Sequence, residues 1–332
     1  MPREKEGNSS QQQRPREPQR PAHTAEPYPW RRVVFGCLVV LLCWGIGLYR
    51  QNKVVADAKA KRLQDWAFSK LWSHMSTQNA ERVDIYRKPL WAQVQGNVFE
   101  IGAGHGEPLM LLPRGKSALT KDGTGVRGIT RYIAAEPNSF LHGRLAENAA
   151  AAGFSVQYDA NTSPNAAEFN AASAASKLPV LTIVNGTLDN APAVIPKFVR
   201  DHAPYDYAIG SMVMCSVDNV QANLQAIQDL LAPGGKFIFI EHVRHTDEGD
   251  STVSAEYKAG LMDVSKWRRV QDMLTSVWPL LTGNCHLDRD TGRLIREMKG
   301  WSSVELQTHR GTSGVLDKLT PLVFGIATKA AA

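Results

Sequence analysis

The stretch Val98–Gly106, VFEIGAGHG, decides the fold. Val98–Ile101 is a short apolar run broken only by Glu100, and it leads into three glycines at alternate positions, Gly102, Gly104 and Gly106. A strand that runs through a glycine turn into a helix suits a nucleotide-type ligand, because without Cβ atoms the ligand can lie against the backbone and the helix N-terminus. The spacing sets aside two frequent users of such loops. A dinucleotide fingerprint needs G-x-G-x-x-G, but Glu107 stands three residues beyond Gly104 and Leu109 three beyond Gly106, which disfavours an NAD-dependent reductase. A triphosphate loop needs G-K-[ST], which does not follow. The pattern that remains is E-x-G-x-G-x-G, with Glu100 inside the strand end.

Outward from this loop, apolar runs alternate with helical patterns. The runs are Tyr132–Ala135, Leu181–Val184, Tyr205–Val213, Lys236–Val243, Val304–Thr308 and Leu322–Thr328. Val220, Leu224, Ile227 and Leu231 keep helical spacing, and Pro233-Gly234-Gly235 ends that helix before the next strand. Strands alternating with helices predict an α/β fold: a doubly wound, mostly parallel, Rossmann-like sheet of seven strands whose last two form an antiparallel edge. Two stretches read as insertions, a Gly/Lys-rich loop over Gly115–Gly128 and a helical or loose segment over Asn161–Lys177. Glu136, with Pro137 and Asn138, closes the YIAA run. An acceptor-only carboxylate there can take hydrogen bonds from both hydroxyls of a ribose, or it can be a surface Glu at a strand end.

The glycine pattern together with Glu136 resembles the class I S-adenosylmethionine-dependent methyltransferases. MVMCSV (Met212–Val217), LLAPGGKFIFIEHV (Leu230–Val243), WPLLTGNCHLDR (Trp278–Arg289) and FGIATK (Phe324–Lys329) resemble, more narrowly, the membrane-anchored methyltransferase-like seven group of thiol S-methyltransferases. The likeness covers roughly residues 85 to 330, and His105 stands where that group has Thr in its glycine loop. The resemblance implies S-adenosylmethionine as cofactor, held by Glu100, Gly102, Gly104, Gly106, Glu136, Pro137, Asn138, Thr187, Leu188, Ser211 and Met212. It also implies a small, lipophilic acceptor such as a thiol, and a home on the endoplasmic reticulum or lipid droplets, or on a mitochondrial membrane as for a relative of similar sequence. An idle member of the fold, kept as an assembly or chaperone factor, would retain the same glycines and Glu136.

Charge narrows the partners. The chain carries a net +6, but residues 1–62 hold twelve Lys/Arg against five Asp/Glu, so the remainder is close to neutral. A near-neutral domain has no visible footprint for phosphates, and nucleic acid is not expected as a partner. Residues 1–29 are rich in Gln, Pro, Arg and Glu and are expected to be a disordered tail. Residues 30–52 are expected to form a single-pass anchor in the lipid bilayer. Val33–Tyr49 (VVFGCLVVLLCWGIGLY) is seventeen uncharged, mostly apolar residues, with Trp30, Arg31 and Arg32 before it and Arg50 and Lys53 after it. Residues 53–90 read as a helical connector with an apolar stripe Leu63, Trp66, Ala67, Leu71 and Met75, and 91–332 as the methyltransferase domain.

The candidate chemistry is sparse. The cysteines lack any C-x-x-C or Cys/His spacing for zinc, and no metal is expected. A thiol with pKa about 8.5 is already a few per cent thiolate near neutrality and needs less base catalysis than a hydroxyl. His242, at the carboxyl end of the fifth strand, is the candidate catalytic base or else a polar cap on a loop carbonyl. Glu241 either orients substrate or faces solvent, Cys215 reads as a core residue, and Cys285 either lines the acceptor pocket or is structural. Trp267, Met273 and Trp278 fall where such enzymes carry a lid over the acceptor, or are core packing.

Overall fold

The structure is a computed structural model that describes residues 30–117, 123–163, 166–174, 176–188, 196–245, 263–309 and 314–331. The expected tail, 1–29, lies outside the described residues. The chain divides into two units between Ala58 and Lys59, and the larger carries the sheet.

The described residues form ten strands: β1 (Gly96–Ile101), β2 (Arg114–Lys116), β3 (Thr124–Val126), β4 (Ile129–Ala135), β5 (Ser155–Tyr158), β6 (Val180–Val184), β7 (Tyr205–Ser211), β8 (Leu231–His242), β9 (Trp301–His309) and β10 (Leu322–Lys329). The helices that matter below are α1 (Trp30–Trp91), α2 (His142–Ala152), α3 (Ala166–Ala174), α4 (Lys197–Asp201), α5 (Val220–Leu230), α6 (Val264–Leu274), α7 (Trp278–Leu281), α8 (Thr291–Glu297) and α9 (Gly314–Leu319). Eight strands form one sheet in the order β5-β6-β4-β1-β7-β8-β10-β9. The pairs from β5 to β8 are parallel, whereas β10 is antiparallel to both β8 and β9. The expected Rossmann-like sheet with an antiparallel edge is therefore present, but the count of seven is corrected to eight. The addition is β5, whose four residues SVQY sit at the sheet edge, mostly half-buried, and so carry too short an apolar signal to be read. The Gly/Lys-rich stretch expected as a loop contributes the two-stranded hairpin β2–β3, and α3 falls in the stretch expected to be helical or loose.

Alternation along the strands sends successive side chains to opposite faces. Phe99, Ile133, Ala208, Phe237 and Phe239 enter one core with Val220, Leu224 and Ile227 of α5 and Ile295 of α8. Val98, Tyr132, Ile209, Ile238 and Ile240 enter the other with Val83 and Trp91 of α1 and Leu145 and Ala149 of α2. Asn219 starts α5 by accepting a hydrogen bond from the Ala222 N–H at 3.0 Å, a cap of the kind worth about 1 kcal/mol. This three-layer arrangement puts the ends of β1, β4, β7 and β8 at one edge, where ligands sit in open α/β sheets.

Among the described residues no helix is long and apolar enough to cross a membrane. Most side chains of Val33–Tyr49, the expected span, lie outside the description although α1 runs through that stretch.

β10 is paired on both sides, and at Gly325, opposite Phe239 and Leu306, a Cβ would overlap the backbone carbonyl of Glu305. Neither neighbouring strand can retreat without losing its ladder. Gly325→Ala should lower stability by about 3 kcal/mol, as for overpacking at a backbone wall. An unchanged urea midpoint would show that β9 does not lie against β10 in this register.

Candidate active site

The glycine loop is built as its sequence requires. Gly102 and Gly104 have φ of +65° and +58°, which side chains other than glycine rarely adopt. A Cβ on Gly102 would overlap Val213, while one on Gly104 would lie 3.3 Å from Nε1 of Trp72 on α1. Gly106 starts a 3₁₀ turn, Glu107–Leu111, in place of a full helix. The loop is tied to the end of β4 through Glu136. Its carboxylate accepts from the Gly104 N–H at 2.9 Å and the Asn138 N–H at 2.8 Å. Asn138 in turn donates from Nδ2 to the Asp65 carbonyl of α1 at 2.9 Å, and Pro137 beside it is exposed.

The other expected cofactor residues are distributed around this junction. Thr187 and half-hidden neighbours follow β6, and Leu188 is buried in the core. Ser211 ends β7 and accepts from Arg87 at 3.0 Å, while Met212, with φ of +59°, lines a cavity. Glu100 is different. It is buried beneath the loop, its Oε2 accepts from the Tyr132 hydroxyl at 2.7 Å, and nothing brings it to the cleft.

The second half of the site comes from two loops that clamp each other. Arg289 donates from Nη1 to the carbonyls of Met214 and Val217, both at 2.6 Å, and Asn284 Nδ2 donates to the Ser216 carbonyl at 2.8 Å. His286 N–H donates to the Cys215 carbonyl at 2.8 Å. From the other side Glu241, fully buried, accepts from the N–H groups of Val213 and Met214 at 3.2 and 3.0 Å. Glu241 therefore neither faces solvent nor points to substrate; it holds the turn. The clamp explains the GNCHLDR motif: Gly283 and Asn284 turn with positive φ, Leu287 is buried, and Arg289 reaches back.

The outcome is that Cys215, His242 and Cys285 meet. His242 Nε2 lies 2.8 Å from Cys285 Sγ, Trp278 Nε1 donates to the same sulfur at 3.4 Å, and the ligand-type atoms of all three residues lie within 4.8 Å of one another. His242 Nδ1 is buried and has no hydrogen-bond partner among the described residues. The hydrogen bond with Cys215 and the charge of His242 together hold Cys285 below the usual thiol range against the opposing effect of burial. Cys215 is pushed well up by the same hydrogen bond and by burial. Burial works to lower His242, but the charge of Cys285 and its hydrogen bond raise it. The three face a cavity of about 60 Å³ that is also walled by Phe68, Leu71, Trp72 and Met75 of α1 and by Trp278. Trp278 thus lines the cavity, whereas Met273 is exposed and away from it. The meeting of Cys215, His242 and Cys285 was hidden in the sequence because they stand 27 and 43 residues apart.

A family profile described as a methyltransferase domain matches residues 71–288, about two thirds of the chain. The chain belongs to this methyltransferase family. It is related to the thiol S-methyltransferases and its cofactor is S-adenosylmethionine. Thiol S-methyltransferase TMT1A of Homo sapiens is 28% identical over 125 residues, 37% of this chain and 43% of that protein. Thiol S-methyltransferase TMT1B of Rattus norvegicus is 29% identical over 102 residues, 31% of this chain and 35% of that protein. The chain matches less than half the length of either relative. Among solved structures, a SAM-dependent methyltransferase of Thermotoga maritima, described as a possible histamine N-methyltransferase, is similar with 16% identity and a TM-score of 0.44, covering 80% of this chain and 99% of that one.

The loop of this methyltransferase fits that cofactor chemically. Glu136 uses one acceptor site on each oxygen for backbone, which leaves lone pairs for ribose hydroxyls, and Gly104 offers backbone without a Cβ.

Burial raises Glu100 to about 7, against the Tyr132 hydrogen bond that lowers it. Its folded value lies above the ordinary one, so its stabilisation is complete below about 4.5 and is lost as pH rises through about 7. Glu100→Gln keeps an acceptor for Tyr132 but cannot ionise. Urea midpoints of the wild type should therefore fall relative to the variant between pH 5 and 8, and parallel profiles would show that Glu100 does not titrate in this range.

Proposed function

We propose that this chain is a membrane-anchored methyltransferase that moves the methyl group of S-adenosylmethionine to a small lipophilic thiol. The observation that carries this reading is the apolar cavity at the carboxyl edge of the sheet, closed at one end by Cys215, His242 and Cys285. S-adenosylmethionine supplies a methyl group already activated on a sulfonium, so the protein has chiefly to orient the acceptor and exclude water. Orientation of this kind contributes roughly 7 to 11 kcal/mol to barrier lowering.

The chain's residues divide that work. Glu136, Asn138, Gly104 and Met212 would hold the cofactor, and the Trp72 indole, which packs on Gly104, must give way for it. Phe68, Leu71, Met75 and Trp278 make the acceptor side dry and apolar. His242 is already engaged with Cys285, so it is not a free base for the acceptor.

Two features support a membrane setting on the endoplasmic reticulum, lipid droplets or a mitochondrial membrane. One is the uncharged run Val33–Tyr49. The other is a group of exposed apolar side chains beside the cavity: Leu63 and Trp66 of α1 and Leu280 and Leu281 of α7, joined where Gln64 Nε2 meets the carbonyl of Leu280 at 3.5 Å. A lipophilic acceptor would be collected from the bilayer by such a face.

Glu136→Ala should weaken S-adenosylmethionine binding at least tenfold in calorimetry while circular dichroism stays native, since hydrogen bonds to a charged group are worth about 1.5–3 kcal/mol. Wild-type affinity in the folded variant would remove Glu136 from the site. Small alkyl thiols should be methylated in preference to phenols and quinols; the reverse preference would keep the methyltransferase and discard the thiol. The full chain should stay with membranes after carbonate extraction, whereas a chain starting near Lys53 should be released, and full-length protein in the soluble fraction would remove the anchor.

A further inference from the structure

Cys215, His242 and Cys285 offer two sulfurs and one imidazole at one end of a cavity, all within 4.8 Å of one another. Two sulfurs and a ring nitrogen around a tetrahedral zinc ion would lie about 3.8 Å and about 3.6 Å apart, from ordinary Zn–S and Zn–N lengths. To surround such an ion the atoms must open the 2.8 Å approach of His242 Nε2 to Cys285 Sγ by roughly 0.8 Å and close separations that reach up to 4.8 Å by about 1 Å, shifts within the reach of side-chain rotation.

The surroundings are those of a held ligand set. His242 is buried, and its Nε2 is the ring nitrogen that faces Cys285. Both cysteine loops are fixed by Arg289, Asn284 and Glu241, so the sulfurs converge without rearrangement of the backbone. The Trp278 indole N–H already donates to Cys285 Sγ, the outer-shell contact that orients a ligating group. Three protein ligands on one side and an open cavity on the other is the arrangement of a reactive zinc site, whose fourth position is left for substrate.

We propose that Cys215, His242 and Cys285 bind a zinc-type divalent ion whose fourth position opens on the cavity and takes the acceptor thiol as a thiolate. The open-position part rests on the thiol reading above; the ion site does not. Soft sulfur ligands and imidazole select zinc over magnesium or calcium. A thiol that coordinates such an ion loses its proton outright, here to solvent. The acceptor sulfur's lone pair then forms the new S–CH3 bond. The methyl–sulfonium bond of the donor breaks with its electron pair left on the donor sulfur, which becomes a neutral thioether. The methylated acceptor is also a neutral thioether and a weaker ligand than a thiolate, so it leaves. No oxidant or reductant is needed.

The test uses cobalt as the probe on the full-length chain, stripped with a chelator and reloaded. One equivalent per chain should bind, with a thiolate-to-cobalt charge-transfer band in the near ultraviolet and the visible bands of a tetrahedral ion. Cys285→Ser, the most accessible of the three changes, and His242→Ala should each weaken cobalt binding at least tenfold, with urea midpoints checked alongside. If Cys215→Ser fails to fold, those two variants carry the test. Adding hexanethiol should shift the visible bands, and hexanol should not. A folded chain that takes up no cobalt, takes it up equally in the variants, or is recovered with Cys215 and Cys285 joined as a disulfide overturns the proposal. So does undiminished thiol methylation by chelator-stripped protein, which would leave the thiol reading standing. Cobalt bound by these residues but indifferent to hexanethiol overturns the open position. If thiols are then not methylated under any metal load, the acceptor reading falls with it.

Discussion

Buried carboxylates at strand ends hold this site together. At the carboxyl edge of a parallel sheet the loops leave the ladder, and their N–H groups lose backbone partners at a point where water is scarce. Glu136 after β4 accepts from Gly104 and Asn138, and Glu241 near the end of β8 accepts from Val213 and Met214. Each therefore binds a loop belonging to another strand. Burial raises both to about 7 despite those hydrogen bonds, so the full charge on the carboxylates that fix the loops is reached only above neutral pH. Glu100 shares the burial but accepts from Tyr132 instead of a loop, which makes it part of the floor and not of the cleft.

The seven apolar runs were legible because each is long enough, or alternates regularly enough, to show its period. Phe237 and Phe239 on one face and Ile238 and Ile240 on the other are such a case. β5 escaped because an edge strand of four residues needs only one side chain in the core. The glycine loop and Glu136 were legible as a pair, since each residue type answers a local demand: positive φ in one, acceptor capacity in the other. Pro137 illustrates the limit of reading neighbours together, for it is adjacent to Glu136 and Asn138 yet exposed.

The cavity side was much less legible. Cys215, His242 and Cys285 come from the ends of β7 and β8 and from the turn after α7, and no local spacing links them. What joins them is Arg289, whose two hydrogen bonds go to backbone carbonyls of the other loop. Carbonyls carry no sequence signature, so a clamp of this kind leaves a trace only on the donor side, in Asn284 and Arg289. That is why Cys285 stands in a motif while nothing in the sequence joins it to Cys215 and His242.

The two halves of the site also differ in what they ask of α1. Trp72 packs on Gly104 while Phe68, Leu71 and Met75, a turn or less away, line the cavity. One helical stripe thus touches both the proposed cofactor loop and the proposed acceptor cavity, because side chains three and four residues apart share a face. A movement of this part of α1 that clears Gly104 must alter the cavity wall as well. Access to the loop and access to the cavity are then linked through packing, because Trp72 lies against Gly104 and also walls the cavity that Met212 lines.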